Sequence, residues 1–341
     1  MKQKLLTFVA MISALGFPYL ALAHENYVLP QADIQRGMMD WSINVLDALK
    51  HRDNLKIALL VGLASIVVVG IYFWYMRSRL GITLDEQLKK WEPFGHVVLR
   101  VALALSFLAS AHFNSFLGPE IPLTSIPLGF LLKPVLYILG VMLLIGLFTE
   151  LAAVLGLVIL ILTTFVYKDY MLTYFNYYGE FVALIFFGSR IFSLDRLIAK
   201  SSVWWQKFRQ WEIPIIRVTY GLSVLYPAIT IKLLHPAIMV EIAQKYNLMQ
   251  FHWLFPQDPL LISLGTGLAQ IMVGLAIIFG FQTRLNSFAT FILYVMSILF
   301  FQEAVWPHYI LLSLALYLII NDGGAFTIDN LLMKRMKSID K

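Results

Sequence analysis

Residues 57–76 read IALLVGLASIVVVGIYFWYM, twenty positions without a charged side chain or a proline. About 20 apolar residues are what an α-helix needs to cross roughly 30 Å of hydrocarbon. In lipid, every backbone N–H and C=O must be paired within its own segment, which a helix achieves and an open strand does not. The apolar/polar alternation of a barrel strand is absent. The stretch therefore predicts a transmembrane helix, and it sets the class of the whole chain.

Runs of the same kind follow at 95–113, 131–149, 151–167, 174–192, 213–233, 259–281, 285–302 and 305–320. Across 341 residues, 60% hydrophobic and 13% charged content, with mean hydropathy +0.76, exclude an ordinary soluble domain. The expectation is an all-α polytopic membrane protein whose first partner is the lipid bilayer. The formal charge of +6 is spread between the apolar runs, not gathered in one patch, which argues against nucleic acid. With no cysteine there are no disulfides, thiolate nucleophiles or Cys-ligated clusters, so redox chemistry would need a bound cofactor or a non-thiol metal site.

Residues 1–23 carry Lys2 and Lys4, an apolar stretch from Leu5, the helix breakers Gly16 and Pro18, and Ala21-Leu22-Ala23, the pattern of a secretory signal peptide. Cleavage would leave His24 at the N-terminus; an uncleaved first helix is the other reading. Residues 24–55 are weakly amphipathic and read as a periplasmic segment on the membrane–water boundary. Residues 56–94 form a single span and its linker. Arg77, Arg79, Lys89, Lys90, Arg100, Arg196, Arg217, Arg284 and the basic tail 333–341 fall on one side of the predicted spans, against the fewer Lys50, Arg52, Lys56, Lys133, Lys168 and Lys245 on the other. This bias places the protein in a bacterial inner (cytoplasmic) membrane, with a periplasmic N-terminus and a cytoplasmic C-terminus.

The chain also repeats itself. Gly140, Gly146, Thr149 and Leu151 return as Gly274, Gly280, Thr283 and Leu285, an offset of 134 that also carries Ser193-Leu194-Asp195 onto Thr327-Ile328-Asp329. Upstream, Arg100-Val101 with Leu105-Ser106 and Leu108 resembles Arg217-Val218 with Leu222-Ser223 and Leu225. Two four-helix units result, 95–200 and 212–332, and an even number of spans gives both one orientation. The predicted architecture is one N-terminal span followed by two parallel-repeat four-helix units. The glycine pairs serve close helix contact or a flexible end before a tight turn.

This order, with Arg leading the first helix, Gly-x5-Gly-x2-Thr-x-Leu between the second and third, and Ser/Thr-x-Asp after the fourth, resembles the DoxX-like (DoxX/DoxD) membrane protein family over roughly residues 95–332. The resemblance implies four-helix membrane units associated with quinone-linked oxidoreduction, or with handling thiosulfate, quinones or redox stress. A quinone is the cofactor it points to. The first unit has His112 and Asn114 where family members often place a His-Gly pair near a lysine, and the second has Ile229 with Lys232.

Ionisable groups inside a membrane are costly and are the first candidates for chemistry. Arg100 and Arg217 lie a turn inside their helices, where they could pair with Asp195 and Asp329, snorkel, or with Lys232 hold a ligand. At the other side, His112 with Asp169 or Glu180, and His235 with Glu303 or His308, could donate a hydrogen bond and a proton to a quinone carbonyl. Histidine pairs there, His252 included, also leave haem ligation open. A free His24 with His51 or Met38-Met39 is a copper candidate. The function expected is a subunit of a quinone-associated oxidoreductase. The alternative is a non-catalytic protein that binds or carries a small lipophilic molecule, or anchors a periplasmic redox protein.

Overall fold

The computed structural model describes residues 28–188, 191–198, 208–251, 256–301 and 306–339. The signal segment 1–23, His24, His252 and Glu303 lie outside the described residues.

Ahead of the bundle come α1 (Gln31–Met39), a 3-10 turn (Val45–Lys50), the long α2 (Arg52–Arg77) and α3 (Arg79–Lys89). The first group of bundle helices is α4 (Glu92–His112), α5 (Gly129–Ile145), α6 (Thr149–Tyr167) and, after a 3-10 stretch (Lys168–Tyr174), α7 (Phe175–Phe187), with the short α8 (Asp195–Ile198) behind it. The second is α9 (Glu212–Pro227), which runs on through a π-helical turn (Ala228–Leu233), then α10 (Pro236–Lys245), α11 (Pro259–Phe279), α12 (Thr283–Phe301) and α13 (Trp306–Asn321), followed by α14 (Ile328–Ile339).

Among the described residues six helices are long and apolar enough to cross a membrane: Arg52–Tyr75, Glu92–His112, Thr149–Tyr167, Phe208–Leu233, Pro259–Phe279 and Thr283–Phe301. The expected spans at 131–149 and 305–320 are shorter apolar helices, Gly129–Ile145 and Trp306–Asn321. The expected span at 174–192 is the 13-residue α7, which stops at Gly188 with φ 61°. Those lengths follow from the ends. Gly146, with φ 66°, takes the left-handed conformation that terminates α5, and the aromatic 3-10 stretch Lys168–Tyr174 occupies the approach to α7.

In the interior α4 packs on α5 and α13, while α9 packs on α7 and α11. The largest core, including Leu103, Phe107, Phe181, Tyr220, Leu314 and Tyr317, forms where α4, α7, α9 and α13 meet. Because lipid is as apolar as leucine, helix association in membranes relies on close fit and small residues. An added Cβ at Gly140 would lie 3.1 Å from the Ala104 carbonyl oxygen, and one at Gly221 only 2.8 Å from that of Gly274. The glycines read from the sequence as packing residues thus sit where α4 meets α5 and α9 meets α11.

The bundle has two distinguishable ends. At the turn end are the tight connections after Gly146 and Gly280 and the first residues of α4 and α9. At the loop end are residues 113–128, 168–174, 234–251 and 256–258. Residues 28–50 lie over the loop end of the second group. Val28 and Leu29 bury against Ile238, Met239 and Ile242 of α10, and Val45 and Ala48 against Leu261 and Leu264 of α11. Lys245 donates to the Val28 carbonyl at 2.5 Å. The extra loop of the second group is thus the seat of the N-terminal segment. From there α2 departs alone. It is tied at its start, where Asn54 donates to Asp258 (2.6 Å), and near its far end, where Phe73 meets Phe281. Between those ties most of its side chains face outward.

Candidate functional site

At the turn end the same contacts occur twice. Arg100 Nη2 donates to the Phe192 carbonyl at 2.6 Å, and Arg217 donates to the carbonyls of Gly323 (2.7 Å) and Phe326 (3.0 Å). Asp195 accepts the backbone N–H of Phe148 (2.6 Å) and Thr149 (2.9 Å); Asp329 accepts that of Gln282 (2.8 Å). Asp195 N–H reaches the Gly146 carbonyl at 2.9 Å, and Asp329 N–H reaches that of Gly280 at 3.2 Å. Each carboxylate therefore caps the start of the helix after the tight turn, where unpaired amides favour an anion. Each guanidinium is spent largely on carbonyls of the segment beyond the fourth helix. That wiring makes Arg100 and Arg217 structural clasps.

A second turn-end cluster joins the two groups. His96 Nδ1 lies 2.5 Å from Glu212 Oε1, both side chains are buried, and Tyr317 O–H donates to the same oxygen at 3.2 Å. Sequence reasoning passed over it because both residues sit at the edges of apolar runs and read as boundary charges. The available signal was that a histidine and a glutamate begin the two helices that start at this end.

At the loop end of the first group a column of polar side chains runs inward. Glu120 accepts hydrogen bonds from Tyr170 (3.2 Å) and, more closely, from Tyr174. The Tyr174 ring packs on that of Tyr177 at 5.9 Å, and the Tyr177 hydroxyl shares a 2.9 Å hydrogen bond with Ser106 of α4. One turn deeper on α7, Glu180 is fully buried; Asn176 donates to its Oε1 at 3.3 Å, and its Oε2 has no hydrogen-bond partner among the described residues. Beside this column, an apolar groove of about 330 Å³ opens between α5 and α6, walled by Ile126, Leu128, Leu132, Ile159, Leu162 and Phe165. Next in sequence to the lining residues Ile126 and Val166 stand Ser125 and Tyr167, whose hydroxyls hydrogen-bond to one another, and the Tyr167 ring lies 6.5 Å from that of Tyr170.

The remaining candidates are dispersed. His112 ends α4, exposed, with its ring edge-on to Phe113, which stacks on Trp306 at 5.2 Å; it makes no hydrogen bond to Glu180. Asp169 lies in the 3-10 stretch. His235 is buried beneath Trp41, ring centroids 4.5 Å apart; burial lowers its pKa, and its Nδ1 has no partner among the described residues. His308 is buried near Tyr294, so the two histidines have different surroundings. Lys232 stands on the π-helical turn. His51 is exposed at the start of α2, and Met38 and Met39 are exposed on α1. Among the described residues no three His, Asp or Glu side chains gather as a metal site would require.

Residues 213–303 match the DoxX family model. This integral membrane protein, with several helices of spanning length, therefore carries a DoxX domain built of α9 to α12. No curated protein and no solved structure matches the chain.

Proposed function

We propose that the protein binds a lipid-soluble quinone in the groove between α5 and α6 and serves as the membrane subunit of a quinone-linked oxidoreductase. The single observation that carries this reading is an apolar groove whose lining residues Ile126 and Val166 adjoin Ser125 and Tyr167 in the chain, from which ring and hydrogen-bond contacts run on through Tyr170 to Glu120. A quinone needs both parts: apolar walls for its isoprenoid tail, and donors for its carbonyl oxygens with a carboxyl that can exchange protons on reduction. The tyrosines replace the histidine donors expected from the sequence. In the same reading, residues 95–200 and 212–332 are two copies of one four-helix unit facing the same way. The recurrence of the Arg100–Asp195 wiring at Arg217–Asp329 supports it, as does the start of α4 and α9 at one end. The basic residues at that end support a cytoplasmic side for it.

The test is photolabelling of the full chain in lipid nanodiscs with an azido-quinone. Labelling within 125–132 and 159–170, competed by plain quinone and lost in Leu162→Trp, is the expected result. Label spread evenly over lipid-facing helices, uncompeted, overturns the reading.

A further inference from the structure

Glu180 is an unusual group to keep in this place. It is fully buried on α7, the helix that packs against α9, and among the described residues Asn176, one turn away on its own helix, is the donor to it. An uncompensated charge in a membrane interior costs several kcal/mol, and ionisable residues there are held for function more often than for stability. A glutamine would serve a purely structural role without that cost. Tyr177 precedes Glu180 by three residues on α7, the Tyr177 ring packs on that of Tyr174 and the Tyr174 ring on that of Tyr170, and both of those hydroxyls donate to the half-buried Glu120 in the loop. Ser106 fixes the Tyr177 hydroxyl from the neighbouring helix.

We propose that Glu180 is a proton-binding site in the membrane interior, loaded and emptied from the loop end through Glu120, Tyr174 and Tyr177. The transfer balances without any redox partner. A proton leaves the Glu120 carboxyl for the Tyr174 oxygen as the Tyr174 hydroxyl proton moves on. One bridging water passes it to Tyr177 and a second carries it from Tyr177 to Glu180, each oxygen handing on its own proton as it receives one. Each hydroxyl is neutral before and after, and one proton has moved from the loop end to α7. The route depends on these side chains and the two bridging waters, whether or not the groove holds a quinone.

The test is infrared hydrogen–deuterium exchange on the purified full chain in nanodiscs. A band in the protonated-carboxyl region should be present in the wild type and missing in Glu180→Gln. After transfer to D2O its isotope shift should be slowed about a hundredfold in Tyr177→Phe, the lower range of what a positioned proton-transfer group contributes. Glu120→Gln should slow it as well, while Tyr309→Phe on α13 should not. Tyr177→Phe keeps the ring and its contacts, so the exchange measurement stands even if Glu180→Gln fails to fold; Glu180→Asp then assigns the band by displacing it. Absence of any band that follows Glu180, or an exchange rate untouched by both Tyr177→Phe and Glu120→Gln, overturns the proposal.

Discussion

His96 Nδ1 and Glu212 Oε1 lie 2.5 Å apart and fasten the start of α4 to the start of α9, so that the two helix groups are joined through a buried polar contact. Breaking a buried pair by removing one partner leaves an uncompensated group, typically at a cost of about 3–5 kcal/mol. Glu212→Ala is expected to lower the unfolding midpoint in detergent sharply. The double variant His96→Leu with Glu212→Leu should recover much of the loss, because replacing both partners with apolar residues removes the unpaired group. Equal instability of the double variant would show that the contact contributes something other than mutual satisfaction.

The two tight turns give a second test. Gly146 and Gly280 both adopt φ 66°, and an added Cβ at either would lie 2.4 Å from an arginine Nη1, of Arg100 and Arg217 respectively. Alanine at either position therefore meets both a strained backbone and a displaced guanidinium, a loss expected to exceed about 1 kcal/mol. Gly62 on α2 has nothing within 4 Å of its added Cβ, so Gly62→Ala is the neutral control. Thermal unfolding of the three variants in one detergent should separate Gly146→Ala and Gly280→Ala from it.

Asp329 predicts a pH dependence at the turn end. Burial pushes its pKa from 3.8 to about 6. The Gln282 amide pulls it down, Asp322 pushes it up, and the Thr283 amide and Arg217 pull it down again. Since the folded value lies above the unfolded one, the folded state holds more protons between them, and stability falls as pH rises through that interval. This contribution is full below about 3.8 and lost above about 6. The difference in unfolding midpoint between wild type and Asp329→Asn should therefore shift in favour of wild type on going from neutral pH to pH near 4. A difference independent of pH would remove Asp329 as the source.

The apolar runs made the helices legible, because length and composition alone decide what can cross lipid. Arg100, Gly146 and Asp195 were legible too, through their recurrence. What the sequence could not supply was lateral position. His112 was paired with Glu180 by predicted depth, yet His112 is exposed at the end of α4 while Glu180 is fully buried on α7, and depth along a helix says nothing of the direction a side chain takes around it. The Glu120 column escaped because tyrosines in an apolar run look like interfacial anchors until their hydroxyls share partners. The length of α7 was misjudged at its far end: the apolar window 174–192 runs on past Gly188, whose φ of 61° stops the helix after Phe187.

The seat of the N-terminal segment gives the last prediction. Trp41 covers His235 with ring centroids 4.5 Å apart, and burial holds the imidazole pKa below its ordinary 6.5. His235 sits just ahead of α10, where Gly37 of α1 abuts Ile238. Trp41→Ala uncovers the ring to water, so its pKa should climb back toward 6.5, and it should become reactive to diethylpyrocarbonate near neutral pH. A Gly37→Val variant, whose side chain collides with Ile238, should do the same by lifting α1 as a whole. Such a displaced group stabilises the folded state less at low pH in the wild type than in the variants, because the covered imidazole resists protonation; the wild type should therefore lose stability relative to Trp41→Ala as pH falls through 6.5. An unreactive His235 in both variants would mean that α10 itself shields the ring and that residues 28–50 lie over it without controlling access.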